Sequence, residues 1–461
     1  MSSPAHSTLP RSINPATGAL IAEWPFDDDA EVERRLARAA VAANRWAETP
    51  VLERADRLRA VGALLRERKA DIAREITLEM GKPLAEALAE VEKSATACDY
   101  VAERGPEWLA DQPVDLAPRT AYVSYLPLGT VLSILPWNFP VWQVFRAAAS
   151  LLMAGNTMLL KHAPNVQGCA QRIARLFADA GLPAGAFENL NISVEQTSRV
   201  IADVRVAAVT VTGSPAAGGK VAAQAGAVIK KTVLELGGSD AFVVLADADV
   251  DAAVAAGVRA RFGNCGQVCL AAKRFIVEAP IAARFGEALT AAAAALRIGD
   301  PLIESTQIGP MAREDLRAGL ELQVQKAVND GARVLTGARR REGDGWFYAP
   351  TVLDRLEGSP SVLRDETFGP VAALVTARDG AHALELANDS PFGLSAMVWT
   401  RDLDRARSMG RRLAVGSVFV NGFTASDPRL PVGGVRLSGY GRELGREGLH
   451  ELCNVQTVVV A

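Results

Sequence analysis

The chain has 461 residues, 49% of them hydrophobic and 22% charged, which is enough apolar material for two or three packed domains. Its 50 basic and 53 acidic residues leave a net charge of −3 with no basic block, which points away from nucleic acid and from an anionic membrane surface as partners. The five cysteines are scattered, no apolar run reaches membrane length, and the first residues lack a secretory apolar core, so a reducing cytoplasm is the expected setting.

The first ~110 residues read as mostly helical, with apolar residues at three- and four-residue spacing over Asp29–Trp46 and Leu52–Leu78. Arg119–Leu126 then alternates as a strand. From Gly129 short apolar runs alternate with amphipathic stretches: strands at Gly129–Leu135, Thr157–Lys161, Phe187–Ile192 and Ala207–Thr212, helices at Val141–Ala154, Val166–Ala180 and Ser214–Gly226. A second block continues from Thr232, with strands at Ala241–Leu245, Arg274–Glu278, Ala332–Leu335 and Ala372–Thr376 between helices Asp251–Arg261, Ala283–Leu296 and Glu314–Asn329. Such alternation implies parallel sheets covered by helices on both faces, hence two doubly wound α/β domains.

Phe262–Leu270 places Cys265 and Cys269 in a glycine-broken loop of small side chains, where a carbonyl carbon could approach the Cys269 sulfur. Upstream, Glu235 is a single carboxylate in the apolar run Leu234-Glu235-Leu236-Gly237-Gly238. A thiol nucleophile and an isolated carboxylate base are the pair needed to form and hydrolyse a thioester. Taken singly, each has a plainer reading, as a small core residue or as half of a buried ion pair. Gly213-Ser214-Pro215, with Gly218, ends a strand and opens a helix. Ser214 suits the N-cap, and the turn suits either a phosphate or mere structure. Asn138, in Pro136-Trp137-Asn138-Phe139-Pro140, is a helix cap or a side-chain amide donor to an oxyanion. Trp142 and Arg146 share one helix stripe, and a buried Arg needs a partner. The four histidines and five cysteines show no zinc spacing, and no metal is expected.

Together, Pro136-Trp137-Asn138-Phe139, Gly213-Ser214 with Gly218, Glu235-Leu236-Gly237-Gly238, Gly266-Gln267-Val268-Cys269 and Glu366-Thr367-Phe368-Gly369-Pro370 resemble, in order and separation, the motifs of the aldehyde dehydrogenase superfamily. Asn388–Leu394 and Pro431-Val432-Gly433-Gly434 with Ser438-Gly439 extend the resemblance over essentially the whole chain. It implies oxidation of an aldehyde with NAD or NADP through a Cys269 thiohemiacetal and thioester, with Glu235 as general base and Asn138 with the Cys269 N–H as oxyanion donors. Lys161 and Glu366 would hold ribose hydroxyls, with Trp137 and Phe368 beside the cofactor. The pyrophosphate would lie near Gly213, Ser214 and Gly218, with Pro164 and Leu236 also in the cofactor site. It further implies a Rossmann-like cofactor domain over 1–111 and 131–235, a catalytic domain over 236–432, and a small β arm over 112–130 and 447–461 that builds a homodimer or homotetramer.

Leu160–Val166 and Ala271–Phe275 most resemble the short bacterial succinate-semialdehyde dehydrogenases, which place an arginine for the substrate's distal carboxylate where Arg146 stands. Trp142, Ser426 and Arg429 are further substrate candidates. The second arginine of better-known members, six positions before the nucleophile, is here Gly263. Pro164 stands where NAD-preferring relatives carry a glutamate, so a 2′-phosphate is not repelled and the cofactor choice stays open. Cys265 is either packing or a redox partner of Cys269. A CoA-acylating enzyme, which would not need Glu235, and a non-catalytic relative, which would not need the intact triad of motifs, are the competing readings.

Overall fold

The computed structural model describes residues 9–356 and 360–461. Two largely parallel sheets organise the chain, as the alternation of strand and helix patterns implies. In the first, Thr130–Leu135 is central, with Thr157–His162 and then Phe187–Asn189 on one side, and Val206–Thr212 and then Lys231–Glu235 on the other. The chain thus winds outward twice from one middle strand. In open α/β sheets this leaves a crevice at the strand carboxyl ends where the order reverses, here beyond Leu135 and Thr212. Gly439–Tyr440 closes the far edge, antiparallel to Lys231–Glu235, with Gly439 opposite Glu235. Gly439 has φ +101°, and a Cβ there would overlap the Leu234 backbone, so only glycine fits.

The second sheet runs in the order Arg333–Thr336, Thr351–Asp354, Val371–Ala377, Ala272–Glu278, Asp240–Val244, Ser395–Trp399, Ser417–Val420, parallel except for the first pair. Asp240–Val244 and Ala272–Glu278 are buried along their full length, because helices cover both faces. Phe242, Phe275 and Phe285 fill one side of this sheet. Lys231–Glu235 ends the first sheet and Asp240–Val244 begins the second, so residues 236–239 carry the chain between the two.

A third, three-stranded antiparallel sheet joins Gln112–Leu116, Arg119–Pro127 and the C-terminal strand Cys453–Val460. Its outer strands expose Val114, Leu116, Val455, Val459 and Val460. The long periodic run expected over Leu52–Leu78 is two helices, Val51–Glu67 and Lys69–Met80, which break at Arg68. Both keep an apolar stripe, but the second turns to pack on helix Gln167–Asp179 as well as on Leu84–Trp108. An apolar period survives such a break, so sequence spacing alone could not show it.

Candidate active site

Helix Val250–Phe262 stops at Gly263, and the chain turns sharply through Asn264 and Cys265, both left-handed (φ 52° and 54°). Several clamps hold this uncommon backbone. The buried Arg261 guanidinium donates to the carbonyls of Thr367 (3.0 Å) and Gly369. The Gln267 amide donates to Asn264 O (3.1 Å) and accepts from Ala312 N (3.0 Å). Lys273 Nζ donates to the carbonyls of Cys269 (2.6 Å) and Val268 (2.9 Å), and lies 3.2 Å from Glu366 Oε1. Gly238 lies against the same loop: a Cβ there would sit 2.7 Å from Cys269 O, so glycine permits the crossing segment to pass the nucleophile. Cys269 is half-buried and its thiol is free. Burial, with Glu235, pushes it up to about 12 against the pull of Arg146. Cys265 is buried in the core of the second sheet, its thiol also pushed up to about 12 by burial.

Glu235 ends its strand fully buried. Burial raises its carboxyl to about 8; Arg146 lowers it and Glu443 raises it. Its Oε1 has no hydrogen-bond partner among the described residues, leaving an acceptor for a water. Arg146 reaches in from helix Trp142–Met153, with one guanidinium nitrogen 3.8 Å from Glu235 Oε2, an ion pair to Glu443, and a hydrogen bond to Thr212 Oγ1 (3.1 Å). A carboxyl near 8 is suited to taking a proton at neutral to mildly alkaline pH.

Asn138, buried, follows the central strand of the first sheet; its Nδ2 donates to Gln267 O (3.0 Å) and its carbonyl accepts from Asn264 Nδ2 (2.8 Å). The side-chain amide expected from the sequence therefore lies against the Cys269 loop. Among the described residues nothing accepts from the Cys269 N–H. That N–H is a free donor, and Asn138 Nδ2 keeps a second N–H besides the one given to Gln267 O.

The expected cofactor residues collect along the crevice. Trp137 follows the central strand and packs edge-on to Phe368, ring centres 5.8 Å apart. Lys161 lies at the end of Thr157–His162 beside Ile134, half-buried, its ammonium lowered by burial. Pro164 opens the short turn Pro164–Val166 and is exposed. Ser214 caps helix Pro215–Ala227, accepting from Ala217 N (3.3 Å), and the space around Gly213 is open. Gly218 has a packing role: a Cβ there would meet the Leu236 side chain at 2.5 Å. Glu366 Oε1 accepts from Gly238 N (3.1 Å). These residues fit a dinucleotide. A capped helix N-terminus with an open glycine suits a pyrophosphate, and Lys161 and Glu366 offer a donor and an acceptor for hydroxyls.

A cavity of ≈ 290 Å³ opens on Cys269 and is lined by Trp142, Arg146 and Ser426, all candidates on spacing or resemblance, and by Lys93, Arg259 and Phe423. One expectation needs correction. Arg429 is absent from this lining; it is exposed and chelated by Asp427, two residues earlier in its own loop (2.8 and 2.7 Å). Arg146 lines the cavity, and the fold also brings Glu443 into a buried ion pair with it. Sequence reasoning misses Lys93, Arg259 and Glu443. Lys93 and Arg259 sit on ordinary amphipathic helices, and nothing local marks Glu443.

The Aldehyde dehydrogenase family model matches residues 3–458. The chain is 53% identical over 447 residues, 97% of each chain, to succinate semialdehyde dehydrogenase [NAD(P)+] Sad of Escherichia coli (strain K12). It is 45% identical over 450 residues, 98% of this chain and 99% of the relative, to a probable succinate-semialdehyde dehydrogenase [NADP(+)] of Synechocystis. The crystal structure of succinic semialdehyde dehydrogenase from Streptococcus pyogenes with NADP+ superposes with a TM-score of 0.96 at 35% identity, covering 98% of this chain and 99% of that one. With the family model matched over residues 3–458 and a relative 53% identical over 97% of its length, this chain belongs to the aldehyde dehydrogenase family.

Proposed function

We propose that this protein oxidises succinate semialdehyde to succinate with NAD or NADP. One observation carries the reading: Cys269 opens on a cavity, Asn138 Nδ2 bonds its loop at Gln267 O, and the buried Glu235 lies within electrostatic reach of the thiol, 3.8 Å from the cavity-lining Arg146. The bound nicotinamide would accept the hydride released from the aldehyde carbon. The chain's own residues do the rest. Cys269 loses its proton to solvent, helped by the nearby Arg146 charge that favours the thiolate, and its sulfur attacks the carbonyl carbon. Asn138 Nδ2 and the Cys269 N–H donate to the oxygen that gains charge, a contribution of about 3–4 kcal/mol per donor. Glu235 then takes a proton from water as that water attacks the thioester, and succinate leaves. The names of the relatives support a semialdehyde and either dinucleotide. The exposed position of Pro164, which carries no charge to repel a 2′-phosphate, is in keeping with both.

The test compares initial rates on succinate semialdehyde and butanal with each dinucleotide, and identifies the product as free acid or acyl-CoA. A rate on butanal equal to that on succinate semialdehyde refutes the substrate, and acyl-CoA as product refutes the role of Glu235. A Glu235→Gln variant should release about one equivalent of reduced nicotinamide per site and then stall.

The exposed apolar edges of the arm sheet also support assembly with further copies of the chain, because such edges template pairing unless covered. Light scattering that gives a monomer mass at micromolar concentration rules this out. Five free thiols accord with a cytoplasmic location.

A further inference from the structure

The cavity that opens on Cys269 is lined by two cations that lack an ion-pair partner among the described residues. Lys93, on helix Leu84–Trp108, and Arg259, in the last turn of Val250–Phe262, both line it. Lys93 Nζ donates to Ser426 Oγ at 2.7 Å and lies 4.2 Å from the centre of the Trp142 ring. Arg259 lies over Phe423, 5.0 Å from its centre. Neither cation forms an ion pair among the described residues. Two carboxylates, Glu86 and Glu90, line the same cavity, and Asp427 acts on Lys93 from close by. Glu90 pairs with Lys82 and accepts from the N–H groups of Val141 and Trp142; Asp427 holds Arg429; Glu86 accepts from Asn264 N. An ammonium has three donors, so Ser426 leaves Lys93 with capacity for an anion. The Trp142 ring and Ser426 together fix where that capacity points.

Arg146 also lines the cavity, but it shares its charge with Glu443 and, at 3.8 Å, with Glu235, so it has less to offer a further anion. Gly263 has no side chain to offer, and a Cβ there would meet nothing closer than Glu86 Oε1 at 3.9 Å. Arg259 lies four residues earlier, on the same helix face. Burial, and after it the neighbouring Arg146, lower the Lys93 ammonium to about 8, so a bound carboxylate would relieve an existing repulsion.

We propose that Lys93, held by Ser426 and aided by Arg259, binds the distal carboxylate of the semialdehyde and sets the preference for an anionic substrate. The proposal rests on the semialdehyde reading above. Its readout is selectivity, the ratio of kcat/KM for succinate semialdehyde to that for butanal. Lys93→Met should lower this ratio by about tenfold, the worth of one charged hydrogen bond, mainly through KM for the semialdehyde. Lys93→Arg, which keeps the charge, should recover most of it. A fall of less than about threefold in Lys93→Met, or a fall that Lys93→Arg does not recover, overturns the clamp. If the parent shows no preference for the semialdehyde, the functional reading fails, and the clamp is judged by succinate as a dead-end inhibitor of butanal oxidation. A Ki that rises about threefold or more in Lys93→Met and returns in Lys93→Arg supports it, and an unchanged Ki overturns it. Thermal melts confirm that both variants fold.

Discussion

Replacing Glu443 by Gln should move the pH profile of thioester hydrolysis to lower pH. Glu235 stands at about 8 because burial disfavours its charged form and Glu443 adds a like charge, while Arg146 opposes both. Arg146 is 3.8 Å from Glu235 Oε2 and also paired with Glu443. Unit charges at that separation attract by about 4 kcal/mol at an effective dielectric near 20. With Glu443 ionised, one guanidinium serves two anions. In Glu443→Gln the like charge is gone and Arg146 answers to Glu235 alone. Removing one close charge shifts a carboxylate by about 1–3 pK units, or roughly 1.4–4 kcal/mol. The ionised carboxylate is the base, so the parent rate should rise with pH through about 8. The variant should rise at least about one unit lower. Stopped-flow traces separate the first burst of reduced nicotinamide from the steady state, so the hydrolytic limb can be followed from about pH 5.5 to 9.5. A midpoint that stays put or climbs in Glu443→Gln would refute this account of the buried triad.

Gly238→Ala should place its methyl against Cys269 O and shift the nucleophile loop; kcat should fall by roughly tenfold to a hundredfold with little loss of dinucleotide binding, measured by steady-state kinetics and fluorescence titration. Lys273→Met removes the hydrogen bonds to Val268 O and Cys269 O and leaves Glu366 without its cation, so melting should report a loss of about 3–5 kcal/mol. Glu79→Ala leaves the N–H groups of Gly168 and Cys169 without their acceptor (2.8 and 2.9 Å), and denaturant unfolding should show about 1–3 kcal/mol lost with the active site intact.

The parallel sheets are legible because strand runs such as Thr130–Leu135 and Thr157–His162 are short, apolar and separated by amphipathic helices, a local pattern that burial on both faces requires. Cys269, Glu235, Asn138 and the Ser214 cap are legible for a related reason: each sits at a strand or helix end marked by glycine or proline, and backbone punctuation is written in sequence. Strands Ser395–Trp399 and Ser417–Val420 leave little local mark, being short runs whose place is set by pairing with Asp240–Val244 and with each other. The partners of charged groups are not legible at all. The helix stripe says that a buried Arg146 needs a partner but not which, and the structure supplies Glu443, from near the other end of the chain. Arg429 reads as a substrate contact, yet its own loop turns it to Asp427. Lys93 gives no sign on its amphipathic helix, and its lack of an anion is visible only once Ser426 and Trp142 are folded against it. Which elements form, and where candidate groups stand at their ends, can be read along the chain, because propensity, periodicity and turn residues act over a few positions. Which charges are matched emerges only in the folded molecule, because Coulomb energies and desolvation depend on distance and burial between segments far apart in the chain.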